Sequence, residues 1–347
     1  MKIFLSLILC FATLTISSAQ EPTLKVVSEG FVFGDERPFD QCHASTLESL
    51  GDGQFMIAWF AGTEEKADDV GIWISKGRDG DWTAPELVAK VREDAHWNPV
   101  LFNAPDGKLY LYFKVGKEID HWETWVMESR DNGSTWSEPV ELVEGDRGGR
   151  GPVRNHVLVL FDGTWLAPAS LEKNRVWNAF VDRSEDEGKT WVNSETLILD
   201  REKIPGEGVI QPALWESAAL YVHMLLRTSA GKIGRSDSHD GGLTWSPVEL
   251  TDLPNNNSGI DIAHISGDTL ALIYNPVGEN WGKRYPMELA VSYDNGKTWP
   301  LKQVIEEGNG QDEFSYPSIL YDNGELVFCY TWNREKIKFV RVKLEEQ

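Results

Sequence analysis

An eight-residue box, Ser-x-Asp-x-Gly-x-Thr-Trp, occurs four times in this chain, and its spacing restricts the fold more than any other feature. The copies span residues 129–136, 184–191, 238–245 and 292–299, with a worn copy running from Ser75 through Asp79 to Trp82. The closing tryptophans Trp136, Trp191, Trp245 and Trp299 recur about every 54 residues, a period that belongs to radially repeated architectures. Residues 20–347 hold about six such units with no linker or low-complexity stretch between them, so they form one domain. Within a unit, short β-rich runs are joined by Gly-containing turns, as in 43–50, the turn 51–53 and 54–60, or 155–161, Asp162-Gly163 and 164–167. That is a hairpin signal. No amphipathic helix of useful length is found. The expectation is an all-β, six-bladed β-propeller made of four-stranded blades. The box is structural: its Asp accepts turn amides, its Gly supplies positive φ and its Trp packs between strands.

The first residues carry a different message. Lys2, an apolar run over 3–16 and the small residues Ser17, Ser18 and Ala19 have the layout of a secretory signal peptide, predicted over 1–19. The run is too short to span a bilayer, and no later segment is apolar enough to do so, so a secreted or periplasmic protein without membrane insertion is expected. The net charge is −22, from 33 basic and 55 acidic residues; loss of Lys2 leaves −23. Such a surface repels phosphate backbones and anionic lipid, which argues against nucleic-acid and membrane partners. It does not exclude an anionic substrate, because a few arginines can set the field inside a pocket. Cys42 and Cys329 fall in the first and last repeats, which a closed ring brings together. Export would permit a bridge between them, and two buried free thiols is the simpler expectation. No CxxC, HExxH or other metal-ligand spacing occurs, so no metal or cofactor is expected. A monomer is expected.

Aligned on their turns, the innermost strands begin with His43, His96-Trp97-Asn98, Arg154-Asn155-His156, Gln211, Asn257-Ser258 and Tyr316. Strands entering a buried ring should begin apolar, yet all six begin polar or aromatic. In a propeller these starts converge on one mouth of the central channel, which makes them the candidate site. The alternative is that they satisfy one another and order channel water. Arg227 ends the apolar run 223–226, which should lie beside an innermost strand, and Arg284 directly precedes the fourth box strand. A guanidinium there is paired or binds an anion; Glu216 or Asp261 could be its partner, and a carboxylate-bearing sugar could be its ligand.

Over essentially the whole of 20–347 the sequence resembles the sialidase (neuraminidase, BNR-repeat) superfamily. Arg227 before the box at Ser238 looks like the second arginine of the sialidase triad, and Arg284 before the box at Ser292 like the third. Tyr316, in the stretch 314–319, lies where those enzymes carry their tyrosine nucleophile. Asp69, or its neighbour Asp68, lies where they carry the acid/base aspartate. Two departures stand out: His43 replaces the first arginine, and Gln211 stands near the glutamate that activates the tyrosine. The stretches 59–63 and 255–261, with those around His43, Trp97 and Tyr316, are similar to a sialidase-like subfamily. Relatives of that subfamily include hydrolases and lyases of rhamnose–glucuronate linkages, some using a first-blade histidine.

The resemblance implies an exo-glycosidase in which Tyr316 attacks the anomeric carbon and Asp69 protonates the leaving oxygen. Arg227 and Arg284 would bind an acidic substituent, helped by Gln211, Arg154, Asn98, Trp97 and Asp261. Sialidases depart from the paired-carboxylate rule in using tyrosine. A tyrosine of ordinary pKa, about 10, needs cations or a base to react near neutrality, from the arginines, His43 or Glu216. Two other readings use the same residues. One is a lyase or histidine-dependent hydrolase on a uronate-containing polysaccharide, with His43 or Tyr316 as base or acid. The other is a non-catalytic glycan-binding propeller with Trp97 and Tyr285 stacking on sugar. Short mouth loops mildly favour terminal or branch sugars.

Overall fold

The computed structural model describes residues 22–345, so the predicted leader at 1–19 lies outside the described residues. Six antiparallel sheets stand around one axis. From the axis outward, blade one holds Gln41–Gly51, Gln54–Gly62 and Gly71–Arg78, the last paired with both Asp81–Trp82 and Glu86–Ala89. Blade two holds His96–Asn103, Leu109–Val115, Glu123–Ser129 and Val140–Glu141; blade three holds Leu158–Val159, Trp165–Lys173, Val176–Ser184 and Val192–Asn193. Blade four holds Val209–Ala218, Tyr221–Thr228, Lys232–Ser238 and Glu249–Pro254; blade five holds Asp261–Ser266, Thr269–Tyr274, Met287–Ser292 and Leu301–Glu306. Blade six combines Phe314–Asp322, Glu325–Trp332 and Lys336–Glu345 with the first described strand, Thr23–Phe31, as its outermost member. The ring is thus closed by non-local pairing, with Thr23 opposite Glu345 and Phe31 opposite Lys338. The expected six-bladed propeller is the observed one.

The apolar residues sort into six clusters, each between the facing sheets of two neighbouring blades. Alternation along a strand sends its side chains to both sheet faces, and here both faces meet another blade. Few strands therefore read as one-sided, and fully buried Trp59, Trp165 and Trp215 fill the gaps. Cys42 and Cys329 lie in the cluster joining blades six and one, both buried and free, and burial pushes both thiols up.

In each full box the Asp is a turn clamp. Asp131 accepts the Thr135 amide at 2.8 Å and the Thr135 hydroxyl at 2.7 Å, while Ser129 Oγ takes the Gly133 amide at 2.8 Å. The hydroxyl and amide of Thr135 hold the Asp131 carboxyl down at about 2. Asp186, Asp240 and Asp294 repeat the arrangement. Gly133 sits at φ +69°, and a Cβ there would fall 2.1 Å from Met56 Cε of blade one. The worn copy behaves differently: Asp79 accepts Ser28 Oγ at 2.6 Å and pairs with Arg341, so it ties blade one to blade six across the closure. Among the described residues no helix is long and apolar enough to cross a membrane.

Candidate active site

The starts of the innermost strands share a backbone device. Ala44, Asn98, Gln211, Asn257 and Tyr316 have φ of +54°, +40°, +56°, +59° and +51°. Strand register slips across four of these positions, between His43 and Thr46, Trp97 and Val100, Ile210 and Ala213, and Ser315 and Ser318. Each is a bulge that re-aims a side chain at the mouth of the ring. Positive φ at a non-glycine residue costs about 1–3 kcal/mol and persists only where the surroundings enforce it.

The mouth is a cavity of about 330 Å³ lined by His43, Trp97, Asn98, Glu172, Trp177, Gln211, Arg227, Trp281, Arg284, Tyr316 and Arg334, with Glu65 and Lys66 at the edge. Tyr316 is its centre. Arg227 Nη1 donates to the Tyr316 hydroxyl at 2.6 Å and to Gln211 Oε1 at 3.2 Å, and Arg227 Nε donates to Asn257 Oδ1 at 2.8 Å. The guanidiniums of Arg154, Arg227 and Arg284 lie 5.5, 5.7 and 5.6 Å from the Tyr316 ring centroid. Burial pushes the phenol up, but Arg227, Arg284 and Gln211 outweigh it and hold Tyr316 below its ordinary value. His43 packs on the same ring, 4.3 Å between centroids, with Nδ1 3.0 Å from Thr331 Oγ1. Burial, reinforced by the surrounding arginines, pushes His43 well below the usual histidine value, so it is neutral.

Arg284 and Arg334 are braced from behind. Glu313 accepts Arg284 Nη1 at 2.8 Å, Arg334 Nε at 3.1 Å and Ser315 Oγ at 2.8 Å; Arg334 also pairs with Glu65. Burial disfavours the Glu313 charge, yet Arg284 and Arg334 hold its carboxyl below the usual range. Arg227, by contrast, makes no ion pair among the described residues. Its guanidinium lies 5.5 Å from the Trp177 ring and 5.6 Å from the Trp281 ring. The cavity therefore carries Lys66, Arg227, Arg284 and Arg334 against Glu65 and Glu172, a positive recess in a chain of net charge −22. Such a recess attracts an anion.

Of the residues proposed from sequence, His43, Trp97, Asn98, Gln211, Arg227, Arg284 and Tyr316 line this cavity. Asp69 does not. It is exposed and accepts the Thr63 amide at 2.9 Å and hydroxyl at 2.7 Å, closing its own loop, and Asp68 faces Lys117. Arg154 and Asp261 lie deeper on the axis: Arg154 donates to the Pro317 carbonyl, and Asp261 accepts the Ile319 amide at 3.0 Å beside His156 at 3.4 Å. Asp261 follows the alternative reading, a polar group satisfied within the channel, whereas Arg154 Nε and Nη1 are buried with no hydrogen-bond partner among the described residues. Glu216 is spent on the Phe161 and Leu220 amides, so neither it nor Asp261 pairs with Arg227 or Arg284, and it cannot assist Tyr316. Trp97 is 2% exposed and donates to the Gly116 carbonyl, leaving little face for a sugar, and Tyr285 does not line the cavity. Trp281, 54% exposed, offers that face instead. Arg334, Glu65, Glu172, Trp177 and Trp281 were not singled out in the sequence.

A family model described as a BNR repeat-like domain matches residues 53–329. A sialidase of Bacteroides fragilis is 26% identical over 251 residues, 67% of this chain and 43% of that protein. A sialidase of Paraclostridium sordellii is 24% identical over 245 residues, 62% of this chain and 56% of that protein. The chain thus spans about half the length of these curated relatives. A Hadza microbial sialidase superposes with a TM-score of 0.75 at 15% identity, over 92% of this chain and 68% of that one, a likeness of fold. The chain belongs to the BNR repeat-like family of the sialidase superfamily.

Proposed function

We propose that the protein is a glycoside hydrolase that removes a terminal acidic sugar, of the sialic-acid type, from glycans. The observation that carries this is Tyr316, its hydroxyl 2.6 Å from Arg227 Nη1, in a cavity also lined by Arg284 and Arg334. The cations stabilise tyrosinate relative to the neutral phenol and so favour Tyr316 as a nucleophile. Arg227 Nη2 has no protein acceptor among the described residues, leaving N–H groups for a substrate carboxylate. Arg334, from the turn after Glu325–Trp332, adds a third guanidinium beside His43 where the first strand lacks an arginine. The leader pattern at 1–19 supports export, testable by N-terminal sequencing of protein recovered outside the cytoplasm.

The test is release of the aryl alcohol from an aryl α-sialoside by the purified protein, with Tyr316→Phe alongside. Turnover that disappears in the variant is expected; equal turnover in both would remove Tyr316 from the mechanism. The second reading, a reaction on uronate-bearing polysaccharide, is favoured by His43 packed against Tyr316. It predicts activity on a rhamnose–glucuronate polymer that is lost in His43→Ala.

A further inference from the structure

Three features outside the Tyr316–arginine set stand out: the axial Glu48–His156–Asp261 cluster, the buried Lys114, and Glu172. The first two are closed on protein partners: His156 meets Asp261, Glu48 and Ser318, and Lys114 Nζ donates to Thr124 Oγ1 and the Arg150 carbonyl. Glu172 is open.

Glu172 lies near the end of Trp165–Lys173, opposite Trp177 in the hairpin register. It lines the main cavity and also a second recess of about 170 Å³ with Asp120, Arg147, Gly148, Ser170 and Lys173. Only Ile119, Trp122 and Glu172 line both, and Glu172 alone of the three carries a proton to give. Every other carboxylate nearby is engaged. Glu65 pairs with Arg334, Glu313 with Arg284 and Arg334, Asp69 holds Thr63, and Asp120 accepts the Asn174 amide. Glu172 makes no side-chain hydrogen bond or ion pair among the described residues.

We propose that Glu172 is the general acid and base of the reaction, donating to the leaving oxygen where the substrate passes from the main cavity into the second recess. This rests on the glycosidase reading above and replaces the sequence-based assignment to Asp69. In the first step tyrosinate 316 bonds to the anomeric carbon, the glycosidic C–O bond breaks, and the Glu172 carboxyl proton passes to the departing oxygen. In the second, water attacks the anomeric carbon, the Glu172 carboxylate takes its proton, and tyrosinate 316 leaves. Each residue returns to its starting state. A half-buried carboxyl with no ion pair holds its proton to higher pH, the usual device for an acid catalyst. Burial raises Glu172 to about 6, with Arg227 opposing and Asp120 assisting.

The second recess then receives the remainder of the glycan. Arg147 there is bound to Glu123 and Glu141, while Lys173 makes no ion pair among the described residues, so a polar, uncharged or weakly anionic sugar chain fits it.

The experiment compares wild type, Glu172→Gln and Asp69→Asn on two α-sialosides, one with an activated aryl leaving group and one with a sugar leaving group. For Glu172→Gln, kcat/KM on the sugar-linked substrate should fall by about 10²–10⁴-fold, the usual worth of general acid catalysis. The aryl substrate, which leaves without a proton, should change by less than about tenfold. The alkaline fall of wild-type kcat/KM beginning near pH 6 should be absent in the variant. Asp69→Asn should keep the wild-type pattern. Equal losses on both substrates, or the leaving-group dependence appearing in Asp69→Asn, would overturn the assignment to Glu172. A wild type inert on sialosides and uronosides alike would instead overturn the glycosidase reading and this role with it.

Discussion

Arg227 lends itself to a quantitative test, because it has no ion pair of its own. The perturbation is Arg227→Gln. The Nη2 amino group offers two N–H donors with no protein acceptor among the described residues, so two charge-assisted hydrogen bonds to a substrate carboxylate are at stake. Such bonds are worth about 1.5–3 kcal/mol each, so their loss removes about 3–6 kcal/mol, or roughly 10²–10⁴ in kcat/KM. A methyl ester of the same sugar still accepts from the charged guanidinium, but it lacks the negative charge and so loses the ion–ion part of the attraction, about half of the total. The preference for acid over ester should therefore fall by about 1.5–3 kcal/mol, roughly 10–150-fold. The ratio is the useful readout. Arg227 also donates to Tyr316 at 2.6 Å, and any damage to Tyr316 is common to both substrates and cancels. The assay is steady-state kinetics of wild type and variant on an aryl α-sialoside and its methyl ester. Equal losses on acid and ester would refute the reasoning, since Arg227 would then act on Tyr316 alone. Thermal melting supplies a control. A buried guanidinium without a carboxylate partner is costly, so the variant should melt no lower than about 2 °C below wild type in the absence of ligand.

Two further outcomes are expected. Gly133→Ala should lose about 2–5 kcal/mol in denaturant unfolding, about 1–2 for the left-handed backbone and about 1–3 for crowding Met56; Gly53→Ala, also at positive φ but facing open space, should show only the first part, and equal losses would mean that the box glycine does not pack on blade one. His156 is raised to about 10: burial opposes its charge, but Asp261 and Glu48 outweigh burial. It is protonated when folded and neutral when unfolded between about pH 6.5 and 10, so its contribution is complete below about pH 6.5 and is lost as pH rises toward 10. Melting temperature followed from pH 7 to 10 should fall less steeply in His156→Gln than in wild type; parallel curves would exclude His156 as the source.

Ring architecture was legible in the sequence because a turn clamp recurs with each blade, and clamps depend on local residues. Tyr316, Gln211 and Asn98 were legible because they open innermost strands, where a polar start conflicts with burial. Arg227 is legible one strand outward, at the exit of Tyr221–Thr228. The same step applied to the other blades leads to Glu172 near the end of Trp165–Lys173 and to Glu65 and Arg334 just beyond Gln54–Gly62 and Glu325–Trp332. These positions stand outside the repeated box, and which member of a connecting loop turns inward depends on its hydrogen bonds. In the loop that holds both, Asp69 turned to Thr63, and Glu65 turned to Arg334. Nothing in local alternation distinguishes these two acids. Arg154 and Asp261 share the ring axis with these strand starts but do not line the cavity, and sequence position alone does not separate the two settings.

The closing strand has a consequence for how the molecule is made. Thr23–Phe31 emerges from the ribosome long before its partner Lys336–Glu345, and Tyr316 and Arg334 come from the blade that this late pairing completes. During synthesis the early blades have no ring to complete, and the arginine-lined cavity has no last wall. Assembly of the candidate site and closure of the ring are then one event, so a nascent or truncated chain lacks the pocket as well as its final stabilising seam.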